Sequence, residues 1–178
     1  IAERMITLAG EGIELPIATD HNVHIEYEAE ARRLSVRGHF TPVVGNEVTT
    51  AVGHFNIFPV PAVGRGPVSR AREWKPLFMD IDRTGAKVVI LNHPRDLHLG
   101  YRPFGPEHHL AVTGENLDGW DLKANAMEVV NSGAQQTDVM RLLHDWLGLL
   151  NAGRFLTPVG ASDSHDVSRF IVGQSRTY

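Results

Sequence analysis

The sequence predicts an α/β fold assembled from parallel β/α units, and three observations lead there. Short apolar runs alternate with helical stretches, most of those runs end abruptly in a polar cluster, and the composition is that of a chain with one sizeable core. The 178 residues, 42% apolar and 21% charged, suit a single domain or a large piece of one. Residues 1–178 are therefore read as one unit. The chain opens at Ile1 without an initiator Met, in what reads as a helix rather than a charged leader, so it is expected to be cut from a longer polypeptide with flanking domains.

The elements follow in order. Residues 1–10 suit a helix, and residues 13–18 a strand running into Thr19-Asp20-His21-Asn22. Residues 25–36, rich in Glu, Ala and Arg, return to helix, and residues 41–44 form a second strand ending in Gly45-Asn46-Glu47. The alternation of residues 53–58 predicts an extra strand paired with residues 44–49, and the Pro and Gly density of residues 60–67 predicts a loop. A helix is expected over residues 69–84, broken near Lys75 because Pro76 lacks an amide proton. Residues 87–91 form a buried strand followed by Asn92-His93-Pro94.

Residues 95–120 have no clear period and read as a long connection with one helical turn at most; connections of that length tend to be functional. Residues 126–130 resume as a strand ending in Asn131-Ser132-Gly133. Val139, Leu142, Leu143, Trp146, Leu147 and Leu150 fall on one helical face, with Gly153 as the stop. Residues 155–159 give the last clear strand, and residues 170–172 the start of another.

Several classes of function are excluded by composition. The net charge is −4, and Lys occurs only at 75, 87 and 123, so no basic stripe exists to bind nucleic acid. No apolar run approaches the roughly 18 residues of a membrane span. Cysteine is absent, so any metal must be held by nitrogen and oxygen, and nothing marks a cellular compartment.

Chemistry concentrates at the strand ends. The apolar runs lead into Asp20-His21, Glu47, His93, Asn131, and Asp163-Ser164-His165. In β/α barrels these ends open on one face. Imidazoles with carboxylates suit borderline divalent ions such as Zn, Mn or Fe, and paired ions would supply a metal-bound hydroxide near neutral pH. Asp20-His21 alone would equally suit a turn or helix cap, and a lone loop histidine is more often a surface or hydrogen-bonding residue. That ordinary reading is kept for His24, His39, His98, His108, His109 and His144. Arg95 is a candidate clamp for an anionic substrate, and Asn131 a candidate substrate contact or loop cap.

The motifs Ala18-Thr19-Asp20-His21-Asn22, Gly45-Asn46-Glu47, Asn92-His93-Pro94 and Gly160-Ala161-Ser162-Asp163-Ser164-His165 resemble those of PHP (polymerase and histidinol phosphatase) domains. The stretch from Pro42 through Pro59 is similar to the CehA/McbA branch of metallohydrolases. The resemblance spans nearly the whole chain. It implies a distorted seven-stranded β/α barrel, that is (β/α)7 and TIM-like, with two or three metal ions. By motif position His21, Glu47, His54, His93, Asp163 and His165 would be the metal ligands, with Glu47 bridging and Asp20 as ligand, orienter or proton carrier. The role of His54 rests on the resemblance. The family's first motif, a His-x-His strand, has no counterpart here, so fewer ions and weak or absent turnover are expected of this chain.

The resulting expectation is a metal-dependent hydrolase of small-molecule esters, a phosphoesterase first. Carboxylic or carbamate ester hydrolysis on the same site, a non-catalytic metal-binding module, and metal-free acid–base catalysis by Asp20, His21 and Glu47 are the alternatives.

Overall fold

A computed structural model describes residues 1–67, 70–135 and 138–178. Four helices and nine short strands are described: α1 (Ala2–Gly10), β1 (Ile17–Ala18), α2 (Glu28–Arg33), β2 (Val43–Val44), β3 (Asn46–Thr50), β4 (Gly53–Phe58), α3 (Trp74–Thr84), β5 (Val88–Leu91), β6 (His109–Leu110), β7 (Glu115–Asn116), β8 (Ala126–Asn131), α4 (Met140–Asn151) and β9 (Thr157–Ala161).

The barrel expected from the sequence does not form. The described strands make a five-stranded mixed sheet in the order β3-β4-β5-β8-β9, with two separate two-stranded pairs, β1-β2 and β6-β7, and no closed barrel among the described residues. The reason lies in β4. Only two residues separate it from β3, and a link that short permits only an antiparallel neighbour. It also pairs antiparallel with β5, so a strand of opposite sense interrupts the parallel series that β5, β8 and β9 continue.

Parallel pairing nevertheless extends the sheet at one edge. Beyond the Ile17↔Val43 and Ala18↔Val44 pairs, the amides of Gly45, Glu47 and Asn22 donate to the carbonyls of Ala18, Asp20 and Glu47. The segment after β1 thus runs alongside β3, with His21 bridged to Glu47. Gly45 makes this possible, since a Cβ there would meet the Ala18 carbonyl at 2.9 Å.

One face of the sheet carries the core. Val48, Phe55, Ile57, Leu91 and Met127 point into it, and α3 covers them with Trp74, Leu77, Phe78 and Ile81, a spacing of i, i+3, i+4 and i+7. The expected break near Lys75 is absent. The helix begins at Trp74, so Pro76 falls in the first turn, where no amide donor is needed. The expected start at Ser69 lies outside the described residues. Met5, Leu8, Ala31 and Phe40 build a second, smaller core between α1 and α2.

Four further expectations are corrected in detail. Helix α2 is half its predicted length, ending at Arg33 with Leu34 as its C-cap before Ser35 turns left-handed at φ 60°. Glu47 sits inside β3 rather than beyond a strand end. The 95–120 connection holds the β6-β7 hairpin rather than a helical turn. Residues 170–172 form no strand; a turn from Ile171 to Gln174 through Gly173 at φ 73° takes their place.

Long-range contacts fix the remaining segments. Arg4 donates to the Ser164 hydroxyl at 2.9 Å and to the Ser164 carbonyl at 2.8 Å, tying α1 to the segment after β9. At Gly148 on α4 the 95–120 connection comes so close that a Cβ would stand 1.8 Å from the Ala111 carbonyl oxygen.

Candidate metal centre

Alternation along β3 and β4 sends Glu47, Thr49, His54 and Asn56 to the face opposite the core. Glu47 is the hub. Its Oε1 lies 2.9 Å from His54 Nδ1 and 3.5 Å from His93 Nε2, and its Oε2 is 3.6 Å from His21 Nδ1. The carboxylate is buried at 5% exposure, as is His93 at 4%. Glu47, His54 and His93 offer ligand atoms that all lie within 4.8 Å of one another, so this buried cluster could hold a metal ion. Two imidazoles and a carboxylate are a donor set suited to a divalent transition ion.

The imidazoles form a row. Ring centroids are 5.4 Å apart between His165 and His21, 6.1 Å between His21 and His54, and 5.0 Å between His54 and His93. His165 Nδ1 donates to the Asp163 carbonyl at 2.9 Å, which leaves its Nε2 as a lone-pair donor facing His21 Nε2 at 3.2 Å. Two nitrogens bound to one tetrahedral ion at about 2.05 Å would stand roughly 3.3 Å apart. The spacing matches that edge.

His93 is held firmly and under strain. Its backbone sits at φ 23°, rare for a residue with a side chain, and its amide donates to Glu128 Oε2 at 2.6 Å. Asn92 anchors the strand end by accepting from the Asn56 amide at 3.1 Å. Asp163, at φ 48°, is the second strained residue of the site.

Electrostatics reflect the crowding. Burial pushes the Glu47 carboxyl up, but the close approach of His54 and His93 and the charges of His93 and His21 outweigh it and hold the group well below the usual carboxylate range. Burial opposes the charge on His93, yet contact with Glu47 and the charges of Glu128, Asp163 and Glu47 raise the imidazole to about 9. Full burial raises Glu128 to about 7, against the pull of His93 and of the amide donors of Asn131 and His93.

The other sequence-predicted residues are placed as follows. Asp20 accepts from the Tyr27 hydroxyl at 3.2 Å and does not enter the convergent group. Burial, then Asp20, pushes that phenol up to about 12. Arg95 commits its guanidinium to Asp145, Nε to Oδ2 at 2.5 Å and Nη2 to Oδ1 at 2.8 Å, instead of facing the centre as an anion clamp. Asn131 is buried, donates to Glu128 Oε2 at 2.7 Å, and accepts from the amides of Gly133 and Ala134 at 2.9 and 2.8 Å. It caps a loop and steadies Glu128.

Sequence reasoning missed Glu128 and Asp96. Glu128 occupies a strand interior and gave no end-of-strand signal. Asp96 sits three residues past His93, within a segment read as connection, where the spacing of His93 and Asp96 was the available clue. Thr49, whose hydroxyl meets His21 Nδ1 at 2.5 Å, was likewise overlooked.

Fold and site together define a mixed α/β protein with a buried His/Glu/Asp cluster on the face of the sheet away from the main core. No protein-family model matches the chain, and no curated protein matches it significantly. No described helix is long and apolar enough to cross a membrane.

Proposed function

We propose that this chain carries the metal centre of a hydrolase acting on small-molecule esters, phosphoesters first, of the PHP type and similar to its CehA/McbA branch. The observation that carries the reading is the convergence of Glu47, His54 and His93 at a buried point with the His21–His165 pair beside it. Zn, Mn or Fe suits these nitrogen and oxygen donors, with the three-residue group as one position and the histidine pair as part of another. When bound, such ions supply Lewis-acid chemistry, polarising the scissile group and acidifying water.

The chain's own residues prepare the site. Glu47, kept ionised, offers one oxygen to His54 and His93 and sets the other against His21 Nδ1, which would leave His21 Nε2 to face His165. Thr49 fixes the tilt of His21, and the Asp163 carbonyl selects the tautomer of His165. Asn92 and Glu128 hold His93 by the backbone.

One observation favours a second reading, hydrolysis of an uncharged carboxylic or carbamate ester. Arg95, the side chain expected to meet a phosphate, is neutralised by Asp145. The discriminating experiment is hydrolysis of p-nitrophenyl phosphate and p-nitrophenyl acetate by protein loaded with Mn²⁺ or Zn²⁺, beside Glu47→Gln. Turnover that vanishes in the variant and with chelator supports the metal hydrolase, and the preferred ester selects between the readings. A protein that binds no divalent ion refutes both.

A further inference from the structure

His93 has two faces. Its Nε2 looks toward Glu47, while Nδ1 is buried without any hydrogen-bond partner. A buried, unpartnered ring nitrogen is costly, and in a native site it asks for an explanation. The nearest opposite charge on that side is Asp96 Oδ2 at 3.9 Å, too far for a hydrogen bond but suited to two donors sharing one ion.

Asp96 is itself buried, and its position is set by local structure. Its amide donates to the His93 carbonyl at 2.9 Å, and its Oδ1 accepts from the His98 amide at 3.0 Å, leaving Oδ2 toward the ring. Asp163 completes the group: His93, Asp96 and Asp163 each offer a ligand atom within 4.8 Å of the others. We propose that His93, Asp96 and Asp163 form a further cation site, separate from the two positions named above and on the side of the His93 ring away from Glu47, taking a divalent ion that accepts carboxylate and imidazole donors, such as Mn²⁺. The inference rests on the metal-centre reading of Glu47, His54 and His93, because the two sites share the ring.

Geometry supports it. The two edges of one ring face two separate carboxylates, Glu47 on the Nε2 side and Asp96 on the Nδ1 side, so the ring can offer a nitrogen to an ion on each edge, its protons leaving to solvent.

The test is Mn²⁺ binding by the whole chain, read as metal per protein after equilibrium dialysis and as electron paramagnetic resonance. The wild type should lose one Mn²⁺ equivalent on Asp96→Asn, which keeps the Oδ1 bond to His98, and the same equivalent on Asp163→Asn. Glu47→Gln should remove a different one. Wild-type spectra should show spin coupling between neighbouring ions, absent in Asp96→Asn. Should Asp96→Asn and Asp163→Asn keep every equivalent, with only a general fall in affinity, Asp96 merely orients the ring and the further site is refuted. If one variant fails to fold, the other variant and the wild-type coupling still decide. Wild type that binds no Mn²⁺ would instead overturn the metal centre itself.

Discussion

Two clusters of buried charge lie close together in the chain, and they behave differently. Around Asp145, which is fully buried on α4, Arg95 supplies a bidentate fork and His109 Nε2 stands 3.4 Å from Oδ1, with Phe104 stacked on the imidazole at 4.1 Å. Asp145 has both oxygens engaged by the arginine. Each cluster leaves one buried ring nitrogen without a hydrogen-bond partner, Nε2 of His109 and Nδ1 of His93, but around Glu47 the imidazole nitrogens also converge on one point and two backbones are left-handed. A buried charge that is geometrically saturated holds a fold together. Donors that converge without saturating one another ask for something from outside.

That contrast can be broken or sharpened experimentally. The largest effect belongs to Asp145→Ala, which strands the Arg95 guanidinium inside the protein and should cost about 3–5 kcal/mol in urea denaturation. Metal binding by the surviving folded protein should persist; its abolition would merge the two clusters into one functional unit.

Next comes Glu128→Gln. In cation-free protein the unfolded Glu128 ionises near its ordinary value of 4.5, while the folded one keeps its proton to about 7. The folded state therefore binds more protons across that window, and stability falls as pH rises through it, by at most about 3 kcal/mol. The amide keeps an oxygen to accept from His93 and Asn131 and has nothing to ionise. Thermal melts from pH 4.5 to 8 should show a flatter profile for the variant, which should be the more stable form at pH 8.

Addition of Mn²⁺ at a hundred times its dissociation constant should raise wild-type stability by about 2.7 kcal/mol. Glu47→Gln should lose the share of that gain contributed by the Glu47, His54 and His93 position, measured against its own metal-free melt. A variant that keeps the full gain would place Glu47 with Asp145 as a structural charge. At the small end, Arg33→Ala removes an exposed pair with Glu30 and should leave the melting temperature almost unchanged.

Much of this was legible in the sequence, for identifiable reasons. Helix α4 and strands β5 and β8 declared themselves because their apolar periods are strong and their ends carry Gly or Asn. The β3-β4 hairpin was anticipated from its alternation, yet its consequence was not drawn. An antiparallel insertion defeats an all-parallel closure, and strand sense is a property of connections rather than of periodicity. His21, Glu47, His93 and His165 stood out as ligand-type residues, His54 entered only through the resemblance, and the structure gathers them around Glu47. Arg95 was misjudged because its partner is 50 residues away on a helix face whose Asp145 looked like an ordinary polar position. Glu128 was invisible for the same reason, because it matters through His93, a neighbour 35 residues away, whereas Asp96 left a clue in its spacing from His93.

The missing side chain at Gly148 has a reach well beyond its own helix. There α4 and the 95–120 connection meet backbone to backbone, and the connection begins two residues after His93 and contains Asp96. Any residue larger than glycine would lever the connection off the helix, and the displacement would propagate toward the ligands. Divergence of this protein is thereby constrained at a place remote from chemistry. Substitutions in the connection can accumulate freely only while that one position on α4 stays bare, so lineages that vary the connection should hold Gly148 fixed.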